Sequence, residues 1–169
     1  LAQVAGIVLP EEQQDLSVYR EKEALFYANK LANDFFLENL LKSEQAQQAR
    51  EYLGKRGLSG NDYKQFGLGY ALDSWDSLIQ IARKNSLNEQ LLFKAGLTVQ
   101  KEEIRFYDRF RGRVTFAIQN ISGQVIGFGA RRITEDKNSP KYINSPETEI
   151  YKKRFILYGL DKAKEAIRT

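Results

Sequence analysis

The run Arg109-Phe110-Arg111-Gly112-Arg113-Val114-Thr115-Phe116-Ala117-Ile118 decides the fold, because here the hydrophobic period of the chain changes from about 3.6 to 2. Val114, Phe116 and Ile118 alternate with Thr115, Ala117 and Gln119; turn residues fill Asn120 to Gly123, and Val125 to Phe128 returns. That pattern predicts a β-hairpin. Two further stretches, Ile126-Gly127-Phe128-Gly129-Ala130-Arg131 and Lys141-Tyr142-Ile143-Asn144-Ser145-Pro146-Glu147-Thr148, interleave cations, glycines and one tyrosine with strand formers. Cations at the edges of a small sheet are suited to holding phosphates. Between the two stretches, Glu135 to Pro140 is polar and turn-rich, which predicts an exposed loop.

Arg109, Arg111 and Arg113 alternate at the strand entry, so a regular strand would project all three to one side. Three guanidiniums on one face repel one another, and an anion relieves this; pairing with Asp108, Glu102 and Glu103 is the alternative. Gly127 and Gly129 predict close approach of another backbone or of a ligand such as a phosphate or base, or else a β-bulge. Lys141, Tyr142 and Asn144 could serve a phosphate, a base face and a sugar or base edge, unless Tyr142 is half-buried core. Lys152, Lys153 and Arg154 form one more cationic cluster, of a kind that is usually plain surface. Carboxylates show no pair at metal-binding spacing in a strand context; Glu147 and Glu149 come nearest and are weak. No catalytic residue and no metal site is expected within the chain.

The 169 residues suffice for one domain or two small ones. Cysteine and histidine are both absent, which excludes structural zinc, thiol chemistry and imidazole acid–base work in this chain. Residues 1–100 carry 11 Lys and Arg against 13 Asp and Glu, whereas residues 101–169 carry 15 against 9. The net charge of +4 is therefore concentrated in the C-terminal part, which points to a polyanion there or to an ordinary basic surface. No apolar run reaches the roughly 20 residues of a membrane-spanning helix, and no signal peptide is evident. A cytoplasmic protein with no membrane partner is expected. Methionine is missing even from position 1, so the chain is expected to be a piece of a longer protein.

Upstream, the pattern is helical. Leu1 to Asp15 reads as a poorly ordered tail, followed from Leu16 by a long amphipathic helix with Leu25, Ala28, Ala32, Phe35 and Phe36 on one side. Ser43 is an N-cap candidate for a second helix carrying Ala46, Ala49 and Leu53, ended by Gly57 in the left-handed conformation. Ser59 and Asp62 resemble a capping box for a short third helix through Phe66. Asp73 or Ser74 is expected to cap a fourth, with Trp75, Leu78, Ile79 and Ala82 inward, and Asn88 a fifth through Phe93. On this pattern the first hundred residues are helical, Phe155 to Leu157 could add a strand, and Asp161 starts a last helix. The fold class is α+β, a helical N-terminal region packed on a small, mostly antiparallel sheet.

Tyr107-Asp108-Arg109-Phe110-Arg111-Gly112-Arg113-Val114-Thr115-Phe116, Val125 to Arg131, Pro140 to Thr148 and Tyr158-Gly159-Leu160 together resemble the catalytic core of bacterial replicative DNA primases of the DnaG type. The similarity runs from about Leu25 to Leu160. Tyr52-Leu53 with Lys55-Arg56-Gly57-Leu58, and Phe66-Gly67-Leu68-Gly69-Tyr70-Ala71 with Trp75, look like that family's helical region. Ala117 stands where the family usually has proline and Ala130 where it often has glycine; the Arg131 to Lys141 loop is longer by a residue or two.

The resemblance implies a lobe, residues 16–160, that precedes a metal-binding TOPRIM lobe, with residues 1–15 as linker and 161–169 as the start of the connection. It implies that Arg131, Lys141, Tyr142, Asn144 and Lys153 line the cleft, with Arg56, Arg109, Arg111 and Arg113 extending a basic track. Implied ligands and partners are single-stranded DNA template, RNA–DNA primer-template and nucleoside triphosphates. Mg²⁺ or Mn²⁺ would belong to the TOPRIM lobe, Zn²⁺ to an N-terminal zinc domain, and a replicative helicase would bind through a C-terminal domain. The implied activity is synthesis of RNA primers on single-stranded DNA, the lobe alone being inactive. A non-enzymatic module that docks nucleic acid or protein on a basic sheet is the competing expectation.

Overall fold

A computed structural model describes residues 11–155. Helix α1, Glu11–Lys42, is about 48 Å long at 1.5 Å per residue and begins inside the stretch expected as tail. Glu11 and Glu12 favour that start through the helix dipole. Burial begins only at Leu25 and recurs at Ala28, Ala32, Phe36 and Leu40, the spacing of one helical face. After a 3-10 turn at Glu44–Ala46, α2 spans Gln47–Gly54 and α3 spans Gly60–Gln65. Gly57 takes a φ of +77°, letting Leu58 N–H return to the Leu53 carbonyl and end α2 as expected. At α3, the Ser59 N–H and hydroxyl both donate to the Asp62 carboxylate, at 2.6 and 2.9 Å. These bonds hold the Asp62 pKa below its usual value.

Strand β1, Leu68–Ala71, is a departure from the expected all-helical first hundred residues. All four of its residues are buried, so it has no alternation to betray it. Gly69 is required there: a Cβ would lie 2.5 Å from Phe36 Cβ of α1. Helices α4, Ser77–Lys84, and α5, Glu89–Lys94, follow, the latter capped by Asn88 Oδ1 accepting from Leu91 N–H at 2.8 Å. Strands β2, Thr98–Lys101, and β3, Arg105–Asp108, form a separate antiparallel pair, also not anticipated. The expected hairpin is present as β4, Arg113–Gln119, and β5, Val125–Arg132; β6 is Tyr142–Asn144. The main sheet is antiparallel throughout in the order β1-β4-β5-β6.

One face of this sheet packs on α1, α4 and α5, with Phe36, Phe110 and Phe128 meeting at ring separations of 5.4 to 6.5 Å. On the other, Leu53 of α2 and Tyr63 of α3 pack against Leu68, Tyr70 and Val114. Helix α4 begins at Ser77, later than expected, because its cap is supplied from β3. Asp108 Oδ2 accepts from Leu78 N–H at 2.7 Å and Ser77 Oγ at 3.1 Å, and Oδ1 accepts from Ile79 N–H at 3.3 Å. Among the described residues Asp108 thus pairs with no arginine, contrary to the alternative considered for it. Burial, at 5% exposure, pushes its pKa up to about 6 against the lowering effect of those bonds. Trp75, expected inward on α4, precedes that helix and is 63% exposed. The chain at Lys153–Phe155 turns as a 3-10 helix where a strand was considered. Residues 1–10, the rest of that strand, Tyr158-Gly159-Leu160 and the helix expected at Asp161 lie outside the described residues.

Candidate nucleic-acid interface

Residues directly opposite in antiparallel strands share a face. Arg131 stands opposite Val114 and Tyr142, and Gly129 opposite Phe116 and Asn144. Arg131, Tyr142, Asn144 and Val114 therefore belong to the face on which α2 packs. Helix α2 covers its β1–β4 side, while Tyr142 on β6 remains 59% exposed and Asn144 is exposed. At this boundary the Arg131 guanidinium carbon lies 4.5 Å from the centre of the Tyr52 ring and 5.6 Å from that of Tyr142. Arg56 stacks on the same Tyr52 ring at 3.9 Å, and Lys141 Nζ is 5.8 Å from the Tyr142 ring. Arg56 in the turn after α2, Arg131 in β5 and Lys141 just before β6 thus border two tyrosines. Among the described residues none of the three forms an ion pair; pairs such as Lys30–Asp34 and Lys94–Glu21 lie elsewhere. A ring face offsets such crowding by about 0.5 to 1 kcal/mol per contact, leaving the guanidinium edges free to bind anions.

The Arg109, Arg111 and Arg113 group does not project to one side. Gly112, at φ +66°, turns the chain just before β4, so only Arg113 is in the strand and alternation does not reach back. Arg113 is 9% exposed and donates to the Arg111 carbonyl at 3.1 Å and the Pro140 carbonyl at 3.0 Å. Burial, with Arg132 and Arg111 nearby, lowers its pKa. Arg109 is half-buried, its pKa lowered by burial and its Nε without a hydrogen-bond partner among the described residues. Arg111 lies 3.6 Å above the Trp75 ring and 5.8 Å from Tyr107, the two rings meeting edge-on at 5.5 Å. It forms a second aromatic–cation cluster at the β4 entry.

The loop from Ile133 to Pro140 is held by arginines. Arg132 donates to the Thr134 carbonyl at 2.8 Å and to Ser139 Oγ at 2.8 Å, and its backbone N–H to the Lys141 carbonyl at 2.9 Å. Gly127 and Gly129 do mark a close approach, but by the end of β6 and the residue after it. A Cβ would meet Ser145 at 3.1 Å in one case and Asn144 Oδ1 at 3.1 Å in the other. Ser145 Oγ accepts from Phe128 N–H at 2.8 Å, which locks that approach. Lys153 is exposed and makes no ring contact with Tyr52 or Tyr142 among the described residues. Its backbone N–H donates to Glu147 at 3.1 Å, two residues after Tyr151, which is buried with Ile118 and Ile126. Sequence reading missed Tyr52 and the outward Trp75; the one available sign was Tyr52 four residues before Arg56, the spacing at which helical side chains meet.

The family described as DNA primase catalytic core, N-terminal domain, matches residues 35–164. This chain belongs to that family. Among curated relatives it is 42% identical over 170 residues to the DNA primase of Deinococcus radiodurans and 41% identical over 145 residues to that of Escherichia coli K12. These alignments cover 99% and 86% of the chain but only 28% and 24% of the relatives, so the chain spans roughly a quarter of a primase. Among solved structures, a DnaG primase catalytic domain bound to single-stranded DNA superposes with a TM-score of 0.74 at 37% identity, covering 87% of this chain and 46% of that one. The RNA polymerase domain of Mycobacterium tuberculosis DnaG, in complex with double-stranded DNA bearing an overhang, gives 0.73 at 37% identity, covering 78% and 40%. The E. coli primase catalytic core gives 0.71 at 39%, covering 83% and 45%. The α+β architecture expected from the primase resemblance is the one observed.

Proposed function

We propose that this chain is the nucleic-acid-positioning lobe of a DNA primase, an enzyme that joins ribonucleoside triphosphates into short RNA primers on single-stranded DNA. The reading is supported above all by the convergence of Arg56, Arg131 and Lys141 on Tyr52 and Tyr142 with no acidic partner among the described residues. Forked guanidiniums bind phosphate oxygens in pairs, Lys141 adds a point charge, Tyr142 offers a face for a base and Asn144 an amide for a sugar or base edge. Arg111 and Arg109 extend the cationic surface toward Trp75, and Lys153 adds charge beyond β6. Arg113 supports the site through the Pro140 carbonyl.

Phosphoryl transfer needs divalent ions to align and neutralise the phosphates. Among the described residues no group of three or more His, Cys, Asp or Glu could hold one, so these residues do not fit a metal centre. The chain's own work is to hold template, primer-template and nucleotide in register, where fixed charges stabilise a polyanionic transition state. Carboxylates of a TOPRIM lobe would hold Mg²⁺ or Mn²⁺, and zinc and helicase-binding domains would complete a cytoplasmic replication protein. Among the described residues no helix is long and apolar enough to cross a membrane. In the full-length parent, Arg131→Ala and Lys141→Ala should each lower primer synthesis by about 10²- to 10³-fold while leaving fold and zinc content unchanged. Normal priming by both variants would favour a docking module instead.

A further inference from the structure

Two guanidiniums share one ring. Arg56 and Arg131 lie 3.9 and 4.5 Å from the centre of Tyr52, so their carbons are within roughly 8 Å of each other, a distance at which like charges repel. Neither has a carboxylate partner among the described residues. Among the described residues neither side chain donates a hydrogen bond, and Arg131 Nε is buried without an acceptor. Both lie against the Tyr52 ring, whose own hydroxyl is buried without a hydrogen-bond partner among the described residues. Here the ring is the platform on which one cation from its own helix's end and one from β5 are laid.

We propose that Tyr52 is a positioning residue: its ring presets Arg56 and Arg131 as a paired receptor for phosphate, supplied by either the strand backbone or a nucleoside triphosphate. This rests on the function proposed above and adds that a neutral residue controls how many phosphates the lobe neutralises. Each phosphate neutralised changes the slope of log affinity against log salt by about 0.7 for single strands, so the slope counts engaged cations. A residue that only stabilised α2 would alter melting and leave that slope alone. A residue that stacked a base would lower affinity at every salt concentration equally.

The test uses the 169-residue chain with a short single-stranded oligothymidylate, followed by competition with ATP. Tyr52→Leu should weaken oligonucleotide binding about tenfold and make the salt slope shallower by about 1, although no charge is removed. Tyr52→Phe, which keeps the ring and loses only an unpartnered hydroxyl, should behave as wild type. Weaker ATP competition in Tyr52→Leu would assign the pair to the triphosphate, and unchanged competition to the strand; either accords with a phosphate receptor. A Tyr52→Leu slope equal to wild type overturns the inference, and so does loss of binding in Tyr52→Phe. If Tyr52→Leu does not fold, Arg56→Lys and Arg131→Lys decide: stacking on the platform requires each to lose about fivefold in affinity, and full retention overturns it. If the wild-type chain shows no salt-dependent binding at all, it is the underlying function that fails.

Discussion

Arg113 and Arg131 sit near the same end of the sheet, on adjacent strands, and do opposite things. Arg113 is on the face turned toward α1 and its guanidinium is committed to two carbonyls, those of Arg111 and Pro140. Arg131, beside its neighbour Val114, lies on the other face, and its guanidinium stacks on the rings of Tyr52 and Tyr142 with no hydrogen-bond or ion-pair partner among the described residues. The first pins a loop; the second is left with unused donors at a surface. An arginine's role is thus set by what its N–H groups already bond, and one step along a strand is enough to change that.

The contrast breaks most readily at Arg131 itself, where truncation to alanine in the full-length parent is expected to abolish nearly all primer synthesis without shifting the melting temperature; an assay paired with calorimetry checks both. Arg113→Ala should do the reverse in the isolated chain. Loss of the buried arginine stem and of its two part-buried bonds to carbonyls should cost about 1 to 2 kcal/mol in denaturant unfolding, with the salt slope of DNA binding unchanged. A shallower slope would put Arg113 among the phosphate contacts.

Asp108 sharpens the comparison from the acidic side, since it too is committed to the fold. Its folded pKa of about 6 lies above the usual value of 3.8, so the folded state holds the proton more tightly than the unfolded chain. Its contribution to stability is then fully present below about pH 4 and is lost as pH rises through about 6, by an amount on the order of 3 kcal/mol. Unfolding followed between pH 4 and 7 should show this trend, and Asp108→Asn should remove it. The smallest effect belongs to Arg111→Ala, which should reduce the salt slope by about 0.7 and leave stability within about 0.5 kcal/mol.

What the sequence made legible was local. The β4–β5 hairpin, the Ser59–Asp62 box and the Asn88 cap are each decided by residues within a few positions of one another, and all three stand as expected. Strand β1 was hidden because every residue in it is buried, and its glycine is explained only by Phe36 of α1. The start of α4 and the outward turn of Trp75 depend on Asp108, some thirty residues downstream. The same distance effect divides the site. Arg131, Lys141 and Tyr142 were legible as a cationic and aromatic set, whereas the fate of Arg113 depends on Pro140 and that of Arg131 on Tyr52, across separate elements. An aromatic at helical spacing reads as core until its neighbours are known.

The most direct test of a partnerless cationic wall is the affinity of the 169-residue chain for single-stranded DNA as a function of salt. With Arg56, Arg131, Lys141 and Arg111 engaged, log affinity should fall against log salt with a slope of about −2 to −3. Binding that does not change between low and high salt would contradict it.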